Sequence, residues 1–414
     1  MGKRKRDIAG TVDFLANCVK EIKGTNFLHD IPKFKVLKTS VPSLNRALGP
    51  LCGFPLSRMA CIHGPNAAGK SALALILAKD FQQQGHMVAY VDAEHTLEQD
   101  WPVALGVDIE KLFVIRPDTL EDCAIKVDKV FNKYAAMPAD WQENNWLCVI
   151  VDTLKKLIPE ESVIGKKCEK GIDRDMKIKE ERMANQARLI SQWLDKLTPF
   201  IGKHNVAFIV LQQEVVNIGA SLYEPKWKLA GGNSLQFDNS LRIRVTWSGN
   251  IKQGDDNKVR LGKEHQMIVM KSKIGVDNEV AYFYTCTGRG EDEPKAGYDA
   301  ARTIVREAKI QGIITNSGSA HFCKLLGEDQ KWDGEKRLRK WLNENPEAMQ
   351  KIAEEIEKYW EKSTANSCYT QEDDGKDIGP DELPPDLVED ESGTLKEKKR
   401  MPKVTKDAEE EKEV

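Results

Sequence analysis

No apolar run in this sequence comes near the ~18 residues that a membrane-spanning helix requires. WLCVIVDTL is among the longest, and Asp152 interrupts it. The opening MGKRKRDIAG is basic but carries no apolar core of a secretory signal, and Arg6 stands where a myristoylation motif needs Ser or Thr. These absences set the expectation of a soluble, cytoplasmic protein with no membrane partner. Metal-type cysteine spacing is missing too. Nine cysteines (18, 52, 61, 123, 148, 168, 286, 323, 368) form no CxxC and no zinc-like pair, and most have apolar neighbours, as in LCVIV. Reduced thiols in a core are the plain reading. No internal repeat recurs, which argues against a solenoid or propeller.

What is present is a long, charged chain. Its 414 residues exceed the usual single domain, so two or three structural units are expected. A hydrophobic content of 40% supplies a sizeable core, and the charged fraction of 31% implies that a solvated tail dilutes it. The net charge of -3 is unevenly spread: residues 361–414 hold 17 Asp/Glu and 9 Lys/Arg, a balance of -8, which leaves +5 on the rest. A basic body with an acidic tail points to a polyanionic partner whose access the tail moderates.

Within residues 1–34, Phe14, Leu15, Cys18, Val19 and Ile22 fall on one helical stripe, free to dock on the chain's own core or on a neighbouring subunit. Residues 35–286 alternate apolar runs with helical patterns. RMACIHG, HMVAYVDAE, KLFVIRP, WLCVIVDTL, NVAFIVLQQ, NSLRIRVTW and EHQMIVMKS are the strand candidates. Continuous apolar strands between helices predict an α/β fold with a mostly parallel, doubly covered sheet, whose ligands bind beyond the strands' carboxyl ends. Two long stretches, 157–180 and 214–232, fit neither pattern, and loops of that length inside a compact domain are usually functional. Residues 287–360 read as a small α/β domain with a hairpin around GEDQKWDGEK, and 361–414 as a disordered acidic tail.

GPNAAGKSA begins at residue 64, and Gly64-x-x-x-x-Gly69-Lys70-Ser71 matches the phosphate-loop pattern between a strand and a helix. Glycines let backbone N–H groups close around phosphate oxygens, and the helix N-terminus adds its positive end. Gly64, Pro65, Asn66, Ala67, Ala68, Gly69, Lys70 and Ser71 would therefore cradle a nucleotide. Lys70 would neutralise the β- and γ-phosphates and Ser71 would ligate Mg²⁺. Asp152 closes the strand LCVIVD, where a carboxylate holds the metal's shell. Glu94, in VDAEH, is either a general base for water attack or a helix-start carboxylate. Gln212 and Gln213 end the strand AFIVLQQ, where a neutral amide can sense the γ-phosphate or simply be polar surface.

The succession GPNAAGKS, VDAEH, LCVIVDT, VLQQ…IG…GGNSLQF and VMKSKIG resembles the RecA family of DNA strand-exchange recombinases, bacterial or bacteriophage type. The resemblance runs from about residue 10 to 360 and includes ALGVDIEKLFVIRPDT and WLNENPEAMQKIAEEI. It implies a RecA-like ATPase core with an N-terminal oligomerisation arm and a C-terminal duplex-DNA-binding domain. The implied activity is ATP-dependent assembly of a helical filament on single-stranded DNA, followed by pairing and exchange with homologous duplex. The two long stretches become DNA-binding loops, with Lys166, Lys167 and Arg174 in the first. The second brings Asn217, Gly219, Tyr223, Lys226, Lys228, Gly231, Gly232 and Asn233.

By the same resemblance Glu94 is the catalytic glutamate, Gln213 the γ-phosphate relay, and Trp101 the ring stacked on adenine. Lys271 and Lys273 match the lysine pair that reaches the neighbouring protomer's ATP, and Phe237 matches an interface residue. Lys331, Lys336, Arg337, Arg339 and Lys340 around Trp332 would gather duplex DNA. Single-strand-binding and loader proteins are further partners of such filaments. Two positions depart from the family pattern: Gln236 replaces a lysine, and Glu214-Val215 replaces an apolar–basic pair, which weakens the second loop's DNA contact on paper. Two alternatives stay open, a RecA-core mediator or regulator without strand exchange, and a hexameric helicase.

Overall fold

The computed structural model describes residues 8–22, 25–27, 35–49, 51–163, 167–168, 171–172, 181–217, 227–229, 239–253, 259–275, 277–288, 295–327, 330–368, 387–389 and 395–397. Residues 1–368 form one compact unit. In the remainder, Leu387–Glu389 and Leu395–Glu397 pair antiparallel. Among the described residues no helix is long and apolar enough to cross a membrane.

The chain opens with helix α1 (Ile8–Glu21), strand β1 (Val36–Leu37), helix α2 (Pro42–Ala47) and strand β2 (Phe54–Pro55), which pairs antiparallel with β1. The central sheet then begins with β3 (Arg58–Gly64), followed by α3 (Lys70–Gln83), β4 (Met87–Asp92), α4 (Asp100–Ala104) and β5 (Leu112–Ile115). Next come α5 (Leu120–Ala135), α6 (Ala139–Asn144), β6 (Leu147–Asp152) and the short α7 (Glu160–Val163). A two-residue pair, β7 (Lys167–Cys168) and β8 (Gly171–Ile172), precedes α8 (Glu181–Lys203). The sheet resumes with β9 (Val206–Val216), β10 (Trp227–Leu229), β11 (Leu241–Gln253), β12 (Val259–Ser272), β13 (Val280–Cys286) and β14 (Gly297–Tyr298).

Its order is β14-β13-β12-β11-β3-β9-β6-β4-β5, with β11, β3, β9, β6, β4 and β5 all parallel. The apolar runs explain this arrangement, because alternate residues of each central strand feed two different cores. Ala60, Ile62, Val88, Tyr90, Cys148, Ile150, Ile209 and Leu211 join the cluster built around α3. Met59, Ala89, Val91, Val149, Val151, Phe208 and Val210 join the cluster with α5 and α8. A strand covered on both faces has no reason to alternate polar with apolar, so it reads as a continuous hydrophobic run.

The antiparallel flank is larger than the sequence patterns indicated. β11 and β12 run well past NSLRIRVTW and EHQMIVMKS, and β13, VAYFYTC, had no counterpart among the strand candidates. β9 likewise continues three residues beyond Gln213, and its extension pairs with β10. The last part of the compact unit has its own core of Ala301, Ile304, Trp332, Leu338, Ile352 and others. It holds helices Ala300–Ile310, Glu335–Glu344 and Pro346–Cys368, the last crossing residue 360. A three-stranded antiparallel sheet joins Ile314–Ser317, Ala320–Cys323 and Lys331–Asp333. GEDQ therefore lies between the second and third of these strands. This part is tied to the sheet by Arg46, which bonds Glu279 at 2.8 Å and Glu307 at 3.1 Å, and by Arg306, which bonds Glu264 at 3.1 Å. None of the cysteines whose side chains are described forms a disulfide, and apart from Cys18 they are buried.

Candidate nucleotide-binding site

β3 delivers the phosphate loop at the carboxyl edge of the sheet, and α3 starts at Lys70. The loop's glycines are steric requirements. A Cβ on Gly64 would lie 2.0 Å from the Val245 carbonyl oxygen. Gly69 has φ +105°, and a Cβ there would sit 2.4 Å from His265 Nδ1. A cavity of about 420 Å³ opens beside the loop. Ala67, Ala68, Gly69, Lys70, Ser71 and Trp101 form one wall, and Arg260, Gly262, Lys263, His265 and Thr285 are among those opposite. Pro65, Asn66 and Ala67 are exposed at the loop's tip, and the Trp101 indole is 40% exposed, open to a stacking partner.

Lys70 is buried, and its Nζ donates to the Gly64 carbonyl at 3.1 Å and the Pro65 carbonyl at 2.8 Å. Burial lowers its pKa, against the pull of Asp152, Glu214 and Glu94. Ser71 Oγ donates to Asp152 Oδ2 at 2.7 Å, and the Tyr90 hydroxyl donates to the same oxygen at 2.6 Å. Burial, then the Asp152 charge, raises the Tyr90 pKa well above normal, so the phenol remains a donor. Glu94 stands at the end of β4, half-buried, and accepts a hydrogen bond from Gln213 Nε2 at 3.3 Å. Pairing of β3 with β9 sets Gln213 opposite Gly64 and Gln212 opposite His63.

The two glutamines separate by strand alternation. Gln212 is fully buried and accepts from Thr153 Oγ1 at 3.1 Å, so it faces the core. Gln213 alone faces the site.

His265 had no place in the sequence reading, although it fixes the loop. Its Nδ1 lies 2.7 Å from the Ala68 carbonyl and its Nε2 2.9 Å from Thr285 Oγ1, and its ring stacks on Phe283 with centroids 4.5 Å apart. Burial lowers its pKa to about 4, so the neutral ring donates from Nδ1. Arg260 and Lys263, cations on the far wall, were also missed. Only the pairing of β12 with β11 and β13 brings these three residues to the loop, and no local motif marks them.

Several expected residues lie elsewhere. Lys271 pairs in register with Arg242, itself level with Cys61, so it sits short of the phosphate loop and two strands over. Lys273 is exposed just beyond it, and neither lysine lines the cavity. Lys228 is exposed on β10, Asn217 follows the end of β9, and Lys167 is placed on β7. Lys166, Arg174, Gly219, Tyr223, Lys226, Gly231, Gly232, Asn233, Gln236 and Phe237 fall outside the described residues. In the C-terminal part Lys331, Lys336, Arg337 and Lys340 are exposed, whereas Trp332 and Arg339 are buried. Arg339 lies 3.6 Å from Asp299, so this residue belongs to the interior instead of a DNA-gathering face.

A family model described as the RecA N-terminal domain matches residues 24–291. The chain belongs to the RecA family. Protein RecA of Thermus aquaticus is 30% identical over 332 residues, covering 80% of this chain and 87% of that protein. Protein RecA of Trichormus variabilis is 29% identical over 354 residues, 84% of this chain and 88% of its own. Protein RecA 1 of Myxococcus xanthus is 28% identical over 324 residues, 78% and 84% respectively. RecA-family proteins are DNA-dependent ATPases of recombination and repair, and membership gives this chain that activity class. The RecA-like α/β core with its mostly parallel sheet agrees with the matched range.

Proposed function

We propose that this RecA-family chain binds ATP with Mg²⁺, assembles as a helical filament on single-stranded DNA, and exchanges that strand into homologous duplex. The observation that carries the reading is the bond between Gln213 and Glu94. It supports a reading in which Gln213 would sense the γ-phosphate beside Glu94 as general base, on a strand that runs directly into the 214–232 segment. Glu94 would deprotonate or orient the attacking water, and Gln213 would report the phosphate's presence to the DNA-facing segment.

Lys70 would leave its two carbonyl partners for phosphate oxygens, a charge-assisted exchange favoured in a buried setting. Ser71 and Asp152, a hydroxyl and a carboxylate 2.7 Å apart, are hard oxygen donors suited to Mg²⁺. Bound there, the ion would offset phosphate charge. Among the described residues no group of three or more His, Cys, Asp or Glu forms another metal site. Trp101 would stack on the adenine. Lys271 and Lys273, displaced from their own subunit's loop, would serve the next protomer's nucleotide.

The arm of residues 1–34, the core of 35–286 and the small domain of 287–360 then divide the labour, with the acidic tail competing for basic surface. Phe14, Leu15 and Ile22 are 66%, 46% and 54% exposed, an apolar stripe that supports docking on a neighbour. Lys166, Lys167, Arg174, Asn217, Gly219, Tyr223, Lys226, Lys228, Gly231, Gly232 and Asn233 would contact DNA, and Phe237 the adjoining protomer. Single-strand-binding and loader proteins would act at assembly.

A joint-molecule assay with ATP, circular single strand and homologous linear duplex tests this reading. Wild type should form joint molecules and Lys70→Ala should not. Lys271→Ala should lose DNA-stimulated turnover while still binding nucleotide. Absence of joint molecules alongside robust DNA-dependent ATPase would shift the reading to a mediator.

A further inference from the structure

Glu214 departs from the family pattern at the start of the second segment. Its side chain is only 5% exposed. It accepts two hydrogen bonds from Arg244, Nε to Oε1 at 2.7 Å and Nη2 to Oε2 at 3.0 Å. His63 Nδ1 approaches Oε1 at 3.0 Å, and since a carboxylate can only accept, that nitrogen carries the hydrogen. Trp227 covers the group, its ring centroid 4.6 Å from the Arg244 guanidinium and 5.3 Å from the His63 ring. The carboxylate is therefore neutralised inside the protein and is not presented to a polyanion.

These four residues come from four strands that meet at one point. His63 immediately precedes Gly64, and Arg244 lies beside His63 in the β3–β11 register. Glu214 pairs with Leu229, and Val216 with Trp227, in the β9–β10 stem. Gly64 is itself pressed on Val245, the residue after Arg244. The first peptide of the phosphate loop thus follows His63, which bonds the stem's Glu214, and abuts Val245, the chain neighbour of Arg244. A buried ion pair of this kind contributes little net stability, since desolvation offsets its attraction, but it fixes geometry because every alternative strands a charge.

We propose that His63, Glu214, Arg244 and Trp227 form a latch between the phosphate loop and the stem of the 214–232 segment, a second route beside Gln213 by which bound nucleotide positions that segment. The proposal rests on the recombinase reading and deepens it. The four act as positioning residues, since none lines the nucleotide cavity. A bidentate guanidinium pair has two discrete states, made or broken, which suits it to transmit a displacement of Gly64 rather than absorb it.

The test uses the full-length chain with Arg244→Gln, Glu214→Gln, the double variant and Trp227→Leu. Two quantities are read: the ratio of ATP turnover with and without poly(dT), and the nucleotide-dependent change in amide hydrogen exchange across residues 214–229. Each single variant should lower the ratio by about tenfold, the scale of an ordinary coupling between sites, and should flatten the exchange response. The double variant should be no worse than the worse single one, because both break the same bond. Wild-type ratios in the single variants, or losses that multiply in the double variant, would overturn the latch. Trp227→Leu keeps the ion pair and serves if the charge variants do not fold; an unaltered ratio and exchange response there would also overturn it. If wild type itself shows no poly(dT) stimulation, the recombinase reading fails. The exchange response to an ATP analogue, present in wild type and absent in Arg244→Gln, still decides the latch.

Discussion

The phosphate loop and the stem of the 214–232 segment start side by side, at Gly64 and Gln213, yet opposite means hold them. The loop is held by backbone: glycines admit close neighbours, carbonyls receive Lys70, and the uncharged His265 ring clamps Ala68. The stem, whose two strands share a backbone ladder, is fastened to the sheet by side chains carrying full charges, Glu214 and Arg244, under an indole. A cradle for phosphates gains from backbone donors and from cations, Lys70 within it and Arg260 and Lys263 across the cavity. A segment that must change position gains from contacts that break in one step.

The largest effect that would sharpen this contrast lies at the point where the two meet. Glu94→Gln should slow ATP turnover by roughly 10²- to 10⁴-fold, the usual value of a general base, while nucleotide-dependent assembly on single-stranded DNA persists. Steady-state ATPase and sedimentation read the two separately, and equal loss of both would contradict the assigned role.

Next in size is the pH response of the loop's clamp. The folded pKa of His265, about 4, lies below the ordinary value of 6.5, so the unfolded chain binds more protons between them. Its contribution to stability is complete above about pH 6.5 and is lost as pH falls towards 4, by up to roughly 3 kcal/mol. Urea titrations at pH 7 and 4.5 should show a steeper loss in wild type than in His265→Gln. Parallel slopes would mean that the loop is not held by an uncharged ring.

Gly69→Ala should destabilise the fold by about 1–3 kcal/mol through its left-handed backbone and the contact with His265. Adding His265→Ala should recover part of this in a thermal melt. The smallest effect belongs to the stem's outer face. Lys228→Ala should reduce the salt dependence of single-strand binding by about one counterion, a slope change of ~0.7, and touch nucleotide affinity little.

The contrast also explains what could be read before the fold was known. The phosphate loop, Asp152, Glu94 and the parallel strands were legible because backbone geometry demands glycine, and two-sided burial demands apolar runs, within a few consecutive residues. The latch was not legible, since His63, Glu214, Trp227 and Arg244 are scattered over the chain and each is unremarkable alone. Glu214 even argued the wrong way, as an unfavourable charge beside DNA, until Arg244 was seen to neutralise it. β13 escaped notice because it is mixed in character, with Tyr282 and Tyr284 engaged by Arg306. The role given to Lys271 and Lys273 rests only on the family pattern, since nothing local separates them from ordinary strand-end lysines.

Two hydroxyls share one oxygen of Asp152, that of Ser71 and that of Tyr90. Were Ser71 to turn towards a cation, the phenol would still hold the carboxylate. Loading the cavity would then move Ser71 and Lys70 from their present partners while Tyr90 keeps Asp152 in place.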